Sequence, residues 1–137
     1  MMLREYEMVL KAAADPNRVR ILKMLESGEL CVCQITAVLD LSGSTVSKHL
    51  SLLQAAGLVD DRKDGRWVHF RLATDEINDY AQPLLSLLHG WLRDDAMIAA
   101  DVERVRRIRE LPVEQFCCSN PGEVLDRELA CAGGGGR

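Results

Sequence analysis

The chain has 137 residues and a formal net charge of −4, and 47% of its residues are hydrophobic, 28% charged and only 4% aromatic. This length allows one domain with a single core, and so few aromatic residues favour an aliphatic, mainly helical core. No run of about 18 apolar residues is present, and charges occupy the N-terminal stretch in which a signal peptide needs an apolar segment. We therefore expect a cytoplasmic protein that makes no membrane contact.

The net negative charge is unfavourable for a DNA-binding protein, but the charges are unevenly distributed. Residues 16–72 carry 8 Lys and Arg against 6 Asp and Glu, whereas residues 73–137 carry 7 against 12. A locally basic surface can bind phosphate groups although the rest of the protein is acidic. The composition is therefore compatible with DNA binding by the first of these segments.

The N-terminal part of the chain is predicted to be helical. Apolar residues at helical spacing indicate a first helix from Leu3 to Ala14. Asp15 and Pro16 suit the N-cap and the first position of a second helix, and Gly28 suits its C-terminal end. The apolar pattern then predicts a short third helix over residues 32–39.

A fourth helix and a hairpin follow. Ser42-Gly43-Ser44 is a break whose hydroxyl groups can cap the fourth helix, and Gly57 ends it. Leu58-Val59 and Trp67–Leu72 are typical of strands, and Asp64-Gly65 between them indicates a β-hairpin. These signals predict a helix, a tight turn, a second helix and a two-stranded hairpin in direct succession.

The C-terminal half is predicted to be a long helical stretch that Asp75 opens, in which Pro83 either kinks the helix or begins its main part. Pro112 ends the helix. We therefore expect one folded domain over residues 1–112, and a cysteine-containing segment with a disordered Gly-rich tail over residues 113–137.

Five cysteines form two close pairs and one single residue: Cys31 and Cys33, Cys117 and Cys118, and Cys131. Helical residues two positions apart do not share a face, so Cys31 and Cys33 can bind one ion only at or before the start of the third helix. A helix N-terminus favours the thiolate, and thiolates select soft or borderline ions. For this pair alone, a metal site and two buried structural cysteines are equally plausible, and the second pair favours the metal site.

Cys117 and Cys118 follow the last predicted helix, in a segment that can fold over another surface. If one of them joins Cys31 and Cys33, three thiolates form the trigonal pyramid that As(III) or Sb(III) adopts. A fourth sulfur favours Zn(II), Cd(II) or Pb(II) instead. Cys131 lies beside the glycine tail, and we treat it as a spare thiol.

The helices and hairpin together predict a winged helix-turn-helix, mainly α with a two-stranded β-wing, whose fourth helix enters the DNA major groove. This helix carries five hydrogen-bond donors suited to base edges and phosphates: Ser44, Thr45, Ser47, Lys48 and His49. The tip of the wing carries three cations that can reach phosphates or the minor groove: Arg62, Lys63 and Arg66.

Four segments in this order resemble the ArsR/SmtB family of metal-responsive repressors. They are Asp15-Pro16-Asn17-Arg18, Glu29-Leu30-Cys31-Val32-Cys33, Ser44-Thr45-Val46-Ser47-Lys48-His49-Leu50, and Asp64-Gly65-Arg66-Trp67-Val68-His69-Phe70-Arg71-Leu72. The resemblance implies a homodimer, with the first and last helices forming the dimer surface. It also implies binding to palindromic operator DNA and repression of transcription until an inducer ion binds.

The segment Glu29–Cys33 is similar to the arsenic-sensing branch of that family, and the cadmium- and lead-sensing branch shares it. The third cysteine of the arsenic pattern is replaced by Thr36, and no cysteine precedes Cys31 as the cadmium and lead pattern requires. Cys117 or Cys118 is therefore our candidate third ligand. The expected inducer is As(III) or Sb(III), with Cd(II), Pb(II) or Zn(II) as alternatives.

Two other classes of function explain fewer of these sequence features. A cytosolic thiol metal buffer uses the same cysteines without DNA, so removal of charge at Lys48 or Arg66 leaves it unaffected. An enzyme has the least support, because the sequence has no paired acid and base, no phosphate-binding loop and no nucleophile beside a base.

Overall fold

The computed structural model describes residues 1–75 and 77–112. Within these residues the helices are α1 (Leu3–Ala14), α2 (Pro16–Met24), α3 (Val32–Leu39), α4 (Gly43–Ala55), α5 (Ala81–Gly90) and α6 (Ala96–Ile108). The strands are β1 (Leu30–Cys31), β2 (Val59–Asp64) and β3 (Trp67–Leu72). The predicted ligands Cys117 and Cys118, and the single Cys131, lie outside the described residues.

Side-chain caps begin α2 and α4 at the predicted points. Asp15 Oδ1 accepts hydrogen bonds from the backbone N–H groups of Asn17 (2.8 Å) and Arg18 (3.2 Å), so it caps α2. Ser42 Oγ accepts a hydrogen bond from the N–H of Thr45 (3.3 Å), so it caps α4. After α2 the chain forms one 3₁₀ turn and leaves it at Gly28, whose φ of +124° lies outside the range that other residues readily adopt.

The sheet has three strands, so the prediction of a two-stranded wing was incomplete. All pairs are antiparallel, and the strand order is β1-β3-β2. In β1, Leu30 pairs with Phe70 and Cys31 pairs with His69. A strand of two residues is too short to show an alternating pattern, and the sequence therefore gave no sign of it.

The prediction of a long helix from Asp75 was wrong, because the chain forms two shorter helices there. A turn at Asn78 precedes α5, and Asn78 Oδ1 accepts a hydrogen bond from the N–H of Tyr80 (2.9 Å). Between α5 and α6, Leu92 has a φ of +64°, which a helix cannot contain. Asp95 then caps α6 through the N–H groups that follow it, at 3.0 and 3.1 Å.

The core lies where α2, α3 and α4 pack together, and α3 and α4 also contact the sheet. Its largest fully buried side chains include Ile21, Leu22, Ile35, Leu50, Leu53 and Leu58. The last helix packs against α2 and α3. Buried Asp101 of α6 accepts two hydrogen bonds from Arg20 of α2, at 2.8 and 2.9 Å. No helix among the described residues has the length and apolar character needed to cross a membrane.

Candidate thiol site and nucleic-acid interface

Cys31 lies where the sheet meets α3. It is the last residue of β1 and also the N-cap of α3, with extended backbone (φ −70°, ψ 149°). Its N–H donates a hydrogen bond to Gln34 Oε1 (2.8 Å), which satisfies one of the free groups at the helix start. Its side chain is buried. The first cysteine of the pair thus has the position at the helix start that a shared ion requires.

Cys33, the second residue of α3, is half-buried and faces the same space as Cys31. Both line a cavity of about 620 Å³ between the start of α3, the helix α4 and the wing. The other residues that line it are Val32, Ser47, Leu50, Ser51, Gln54, Asp61, Arg66, Trp67, Val68 and Phe70. The two cysteine side chains therefore adjoin both predicted DNA-contacting elements.

Thr36 occupies the place of a third cysteine one turn further along α3. It is buried, and its hydroxyl donates to the carbonyl oxygen of Val32 (2.8 Å). An alcohol oxygen used in this way is no substitute for a soft thiolate. Over residues 1–75 and 77–112, no group of three or more His, Cys, Asp or Glu side chains is placed to hold a metal ion. The remaining cysteines of the chain all lie beyond residue 112.

Four of the five predicted donors of α4 share one cleft. Ser44, Thr45 and Lys48 are exposed and His49 is half-buried, and together with Arg18 and Leu52 they line a space of about 320 Å³. The N-terminus of α4 adds backbone N–H groups and the positive end of the helix dipole. Hydroxyl groups, cations and a helix N-terminus in one cleft suit a phosphate group. Ser47, the fifth donor, lies on the other side of α4 and lines the thiol cavity.

Arg18 belongs to this cleft, although the sequence did not assign it a role. Its Nε donates to the carbonyl oxygen of Ala12 (2.7 Å) and its Nη2 to that of Lys11 (3.2 Å). Its Nη1 lies 3.3 Å from His49 Nδ1. The available signal was its place in the motif that begins at Asp15, but nothing local showed that it meets His49.

The wing holds its three predicted cations in different surroundings. Lys63 and Arg66 are exposed, and the Arg66 guanidinium lies 4.8 Å from the centre of the Trp67 ring, a cation–π contact. Arg62 instead bonds both carboxylate oxygens of Glu29, with Nε–Oε2 at 3.2 Å and Nη2–Oε1 at 2.5 Å. The Arg62 hydrogen bond also lowers the pKa of Glu29. Two wing cations are therefore available to DNA, and the third is held by Glu29.

The model of the family described as "Bacterial regulatory protein, arsR family" matches residues 15–61, which include Cys31, Cys33 and all of α4. The arsenical resistance operon repressor of Escherichia coli (strain K12) is 48% identical over 100 residues, which cover 72% of this chain and 83% of that protein. The chain belongs to the ArsR family.

Further matches include a cadmium resistance regulator and a solved winged helix-turn-helix domain. A homolog of the cadmium resistance regulatory protein CadC from Staphylococcus aureus is 36% identical over 75 residues, covering 54% of this chain and 62% of that protein. The homodimeric winged helix-turn-helix DNA-binding domain of a possible ArsR-family regulator from Mycobacterium bovis matches with a TM-score of 0.55. It is 30% identical, and the match covers 63% of this chain and 76% of that domain. The predicted winged helix-turn-helix fold is thereby confirmed.

Proposed function

We propose that this ArsR-family protein is a homodimeric repressor that leaves its operator DNA when As(III) or Sb(III) binds Cys31, Cys33 and a third thiolate from Cys117 or Cys118. One observation carries the proposal: Cys31 belongs to the wing sheet through its pairing with His69 and also caps α3. Because α3 packs against α4, an ion that draws the sulfurs together acts on both DNA-contacting elements.

The position of the end of α6 supports a third thiolate from Cys117 or Cys118. Arg109, directly after α6, donates from Nη1 to the carbonyl oxygen of Glu29 (3.0 Å), two residues before Cys31. Four residues lie between Pro112 and Cys117, and the five steps of extended chain from one to the other span at most about 17 Å. The end of α6 is therefore joined through Arg109 to the segment just before Cys31, which supports Cys117 or Cys118 as the third ligand.

The chemistry of release follows from the geometry of the ion. Arsenious acid and three thiols give a tris-thiolate arsenic centre and three water molecules, and the arsenic lone pair keeps the three sulfurs on one side. Cys31 in extended backbone and Cys33 in the first turn of α3 must then approach each other, which bends or unwinds the start of the helix. Coupling between two such sites commonly changes affinity about 5- to 150-fold.

Exposed apolar side chains on the first and last helices support the homodimer. On α1 they are Leu3, Tyr6, Met8 and Leu10, and on α6 they are Met97 and Val102. Exposed apolar side chains on these two helices are candidates for contacts with a second copy. Two copies related by a two-fold axis present two α4 helices to the two halves of a palindromic operator.

Cd(II) or Pb(II) as inducer is the second candidate, which the similarity to the cadmium resistance regulator of S. aureus favours. Such an ion prefers four sulfurs, so it would recruit both Cys117 and Cys118. The cytoplasmic location expected from the sequence is part of both candidates.

The test is fluorescence anisotropy of a labelled operator duplex, selected from a random library with the reduced protein. The complex is titrated separately with arsenite, cadmium, lead and zinc. Release of the DNA at near-stoichiometric arsenite supports the three-thiolate site. Release by cadmium or lead alone would instead support the second candidate inducer. Failure of the protein to select any duplex would leave a thiol metal buffer as the function.

Cysteine variants make the test specific. Cys31→Ser and Cys33→Ser should bind the duplex normally and not be released by arsenite. Cys131→Ser is the matched control and should be released like the unmodified protein. Release of either of the first two variants by arsenite would rule out the proposed ligand set.

A further inference from the structure

We propose that Glu29 is the positioning residue through which inducer binding at the thiols reaches the wing. The inference rests on the proposed function and names the route by which the same site regulates DNA binding. Glu29 lies two residues before Cys31, in the short segment that joins the 3₁₀ turn after α2 to β1.

The Glu29 side chain is directed at the wing and lies among its cations. Arg62 of β2 donates to both carboxylate oxygens, and His69 Nδ1 of β3 lies 3.7 Å from Oε1. Arg71 adds a further positive charge that acts on the same carboxylate. One carboxylate beside the thiol pair thus contacts both strands of the hairpin.

The backbone of the same segment is held from the opposite side by Arg109. Besides its bond to Glu29, Arg109 donates from Nη2 to the carbonyl oxygen of Gly28 (3.1 Å) and to Ser27 Oγ (3.2 Å). Segment 27–29 is therefore fixed between the end of α6 and the wing. Because Cys31 and Glu29 are only two positions apart, a displacement of the Cys31 backbone should also move Glu29.

Strand pairing by itself connects the cysteine segment to β3 and not to β2. Among the described residues, β1 pairs only with β3, through two residues. Arg62 lies on the far strand β2, opposite His69. The Glu29–Arg62 ion pair thus joins the cysteine segment directly to β2, the strand that also carries Lys63.

Glu29 should affect how inducer binding is transmitted to the wing, and not whether the protein folds. Ion pairs at the surface contribute little to stability, and Arg62 is about half exposed. Replacement of Glu29 should therefore leave a folded protein that still binds arsenite. What should change is the factor by which arsenite binding at the cysteines weakens the affinity for DNA.

The experiment compares Glu29→Gln with Asp64→Asn in the full-length reduced protein. Asp64 Oδ2 also lies near Arg62, at 4.0 Å from Nη1, so both substitutions remove one negative charge beside the same guanidinium. Only Glu29 is attached to the cysteine segment. For each protein, anisotropy gives the Kd for the operator without and with stoichiometric arsenite, and thiol titration gives the number of cysteines that arsenite protects.

We expect Asp64→Asn to keep the wild-type ratio of the two Kd values. For Glu29→Gln we expect the ratio to fall at least about fivefold, with arsenite protecting as many thiols as before. A wild-type ratio in Glu29→Gln, or a loss of thiol protection, would overturn the coupling role. Unmodified protein that arsenite does not release would instead reject the proposed function itself, so the two failures are distinguishable.

Discussion

Cys31 and Arg62 lie in one row across the three-stranded sheet, on either side of His69. Cys31 pairs with His69 in β1 and β3, and Arg62 pairs with the same histidine in β2 and β3. A buried thiol on one edge of the sheet is thus two strands away from a cation on the other edge. This row, together with the Glu29 carboxylate that contacts Arg62 and His69, connects the wing directly to the segment that carries Cys31.

The cleft at the start of α4 predicts a specific salt dependence. Lys48→Gln removes one exposed cation from the cleft that Arg18 and His49 also line. Each phosphate contact contributes about 0.9 to the slope of log K against log salt concentration, so a dimer should lose about 1.8. Anisotropy at several salt concentrations measures this slope. Arg106→Gln, at an exposed pair with Glu103 on α6, is the control and should leave the slope unchanged.

The ion pair between α2 and α6 should be important for stability. Asp101 is 4% exposed and Arg20 is 15% exposed, and the two groups make two hydrogen bonds. Asp101→Asn leaves the guanidinium without its counter-ion, and we expect it to lower the free energy of unfolding by about 3 kcal/mol.

Urea unfolding of the reduced protein measures the loss. Glu7→Gln is the control, because Glu7 pairs with Lys11 on the exposed face of α1 and contributes about 0.5 kcal/mol or less. Equal unfolding midpoints for the Asp101 and Glu7 variants would contradict the prediction.

The cap of α2 should make stability depend on pH. Partial burial raises the pKa of Asp15, but hydrogen bonds from the N–H groups of Arg18 and Asn17 outweigh it and place the pKa below the usual 3.8. Since the folded-state pKa is the lower one, the carboxylate stabilises the protein above about pH 4, and this contribution is lost as the pH falls through the folded-state pKa.

The variant Asp15→Asn keeps a capping side chain without the charge. Its free energy of unfolding should be below that of the unmodified protein at neutral pH, and the difference should disappear in acid. Urea unfolding between about pH 3 and 7 follows the difference. A difference that persists unchanged in acid would show that the charge is not its source.

Two glycines with positive φ should differ in their tolerance of alanine. Gly57, after α4, has a φ of +77°, and a Cβ there would lie 3.3 Å from Asn78 Cβ. Gly65, in the hairpin turn, has a φ of +61° and open space around it. Gly65→Ala should therefore cost only the backbone strain, about 1 kcal/mol, whereas Gly57→Ala should cost more. Thermal unfolding of both variants ranks them, and the reverse order would be incompatible with this packing.

Local signals in the sequence were sufficient for much of this protein. The bounds of α1 and α3, the caps at Asp15 and Ser42, and the hairpin at Gly65 all follow from neighbouring residues. They are determined by spacing, capping chemistry and turn preference, each of which acts over a few positions. The same signals placed the cysteine pair at a helix start.

The tertiary structure alone decided which distant groups meet. Glu29 and Arg62 are 33 positions apart and Arg18 and His49 are 31 apart, and no local pattern connects the members of either pair. The two-residue strand β1 likewise exists because the folded chain brings it beside β3. Such contacts form only when the core closes, because their geometry depends on how α2, α3, α4 and the sheet pack together.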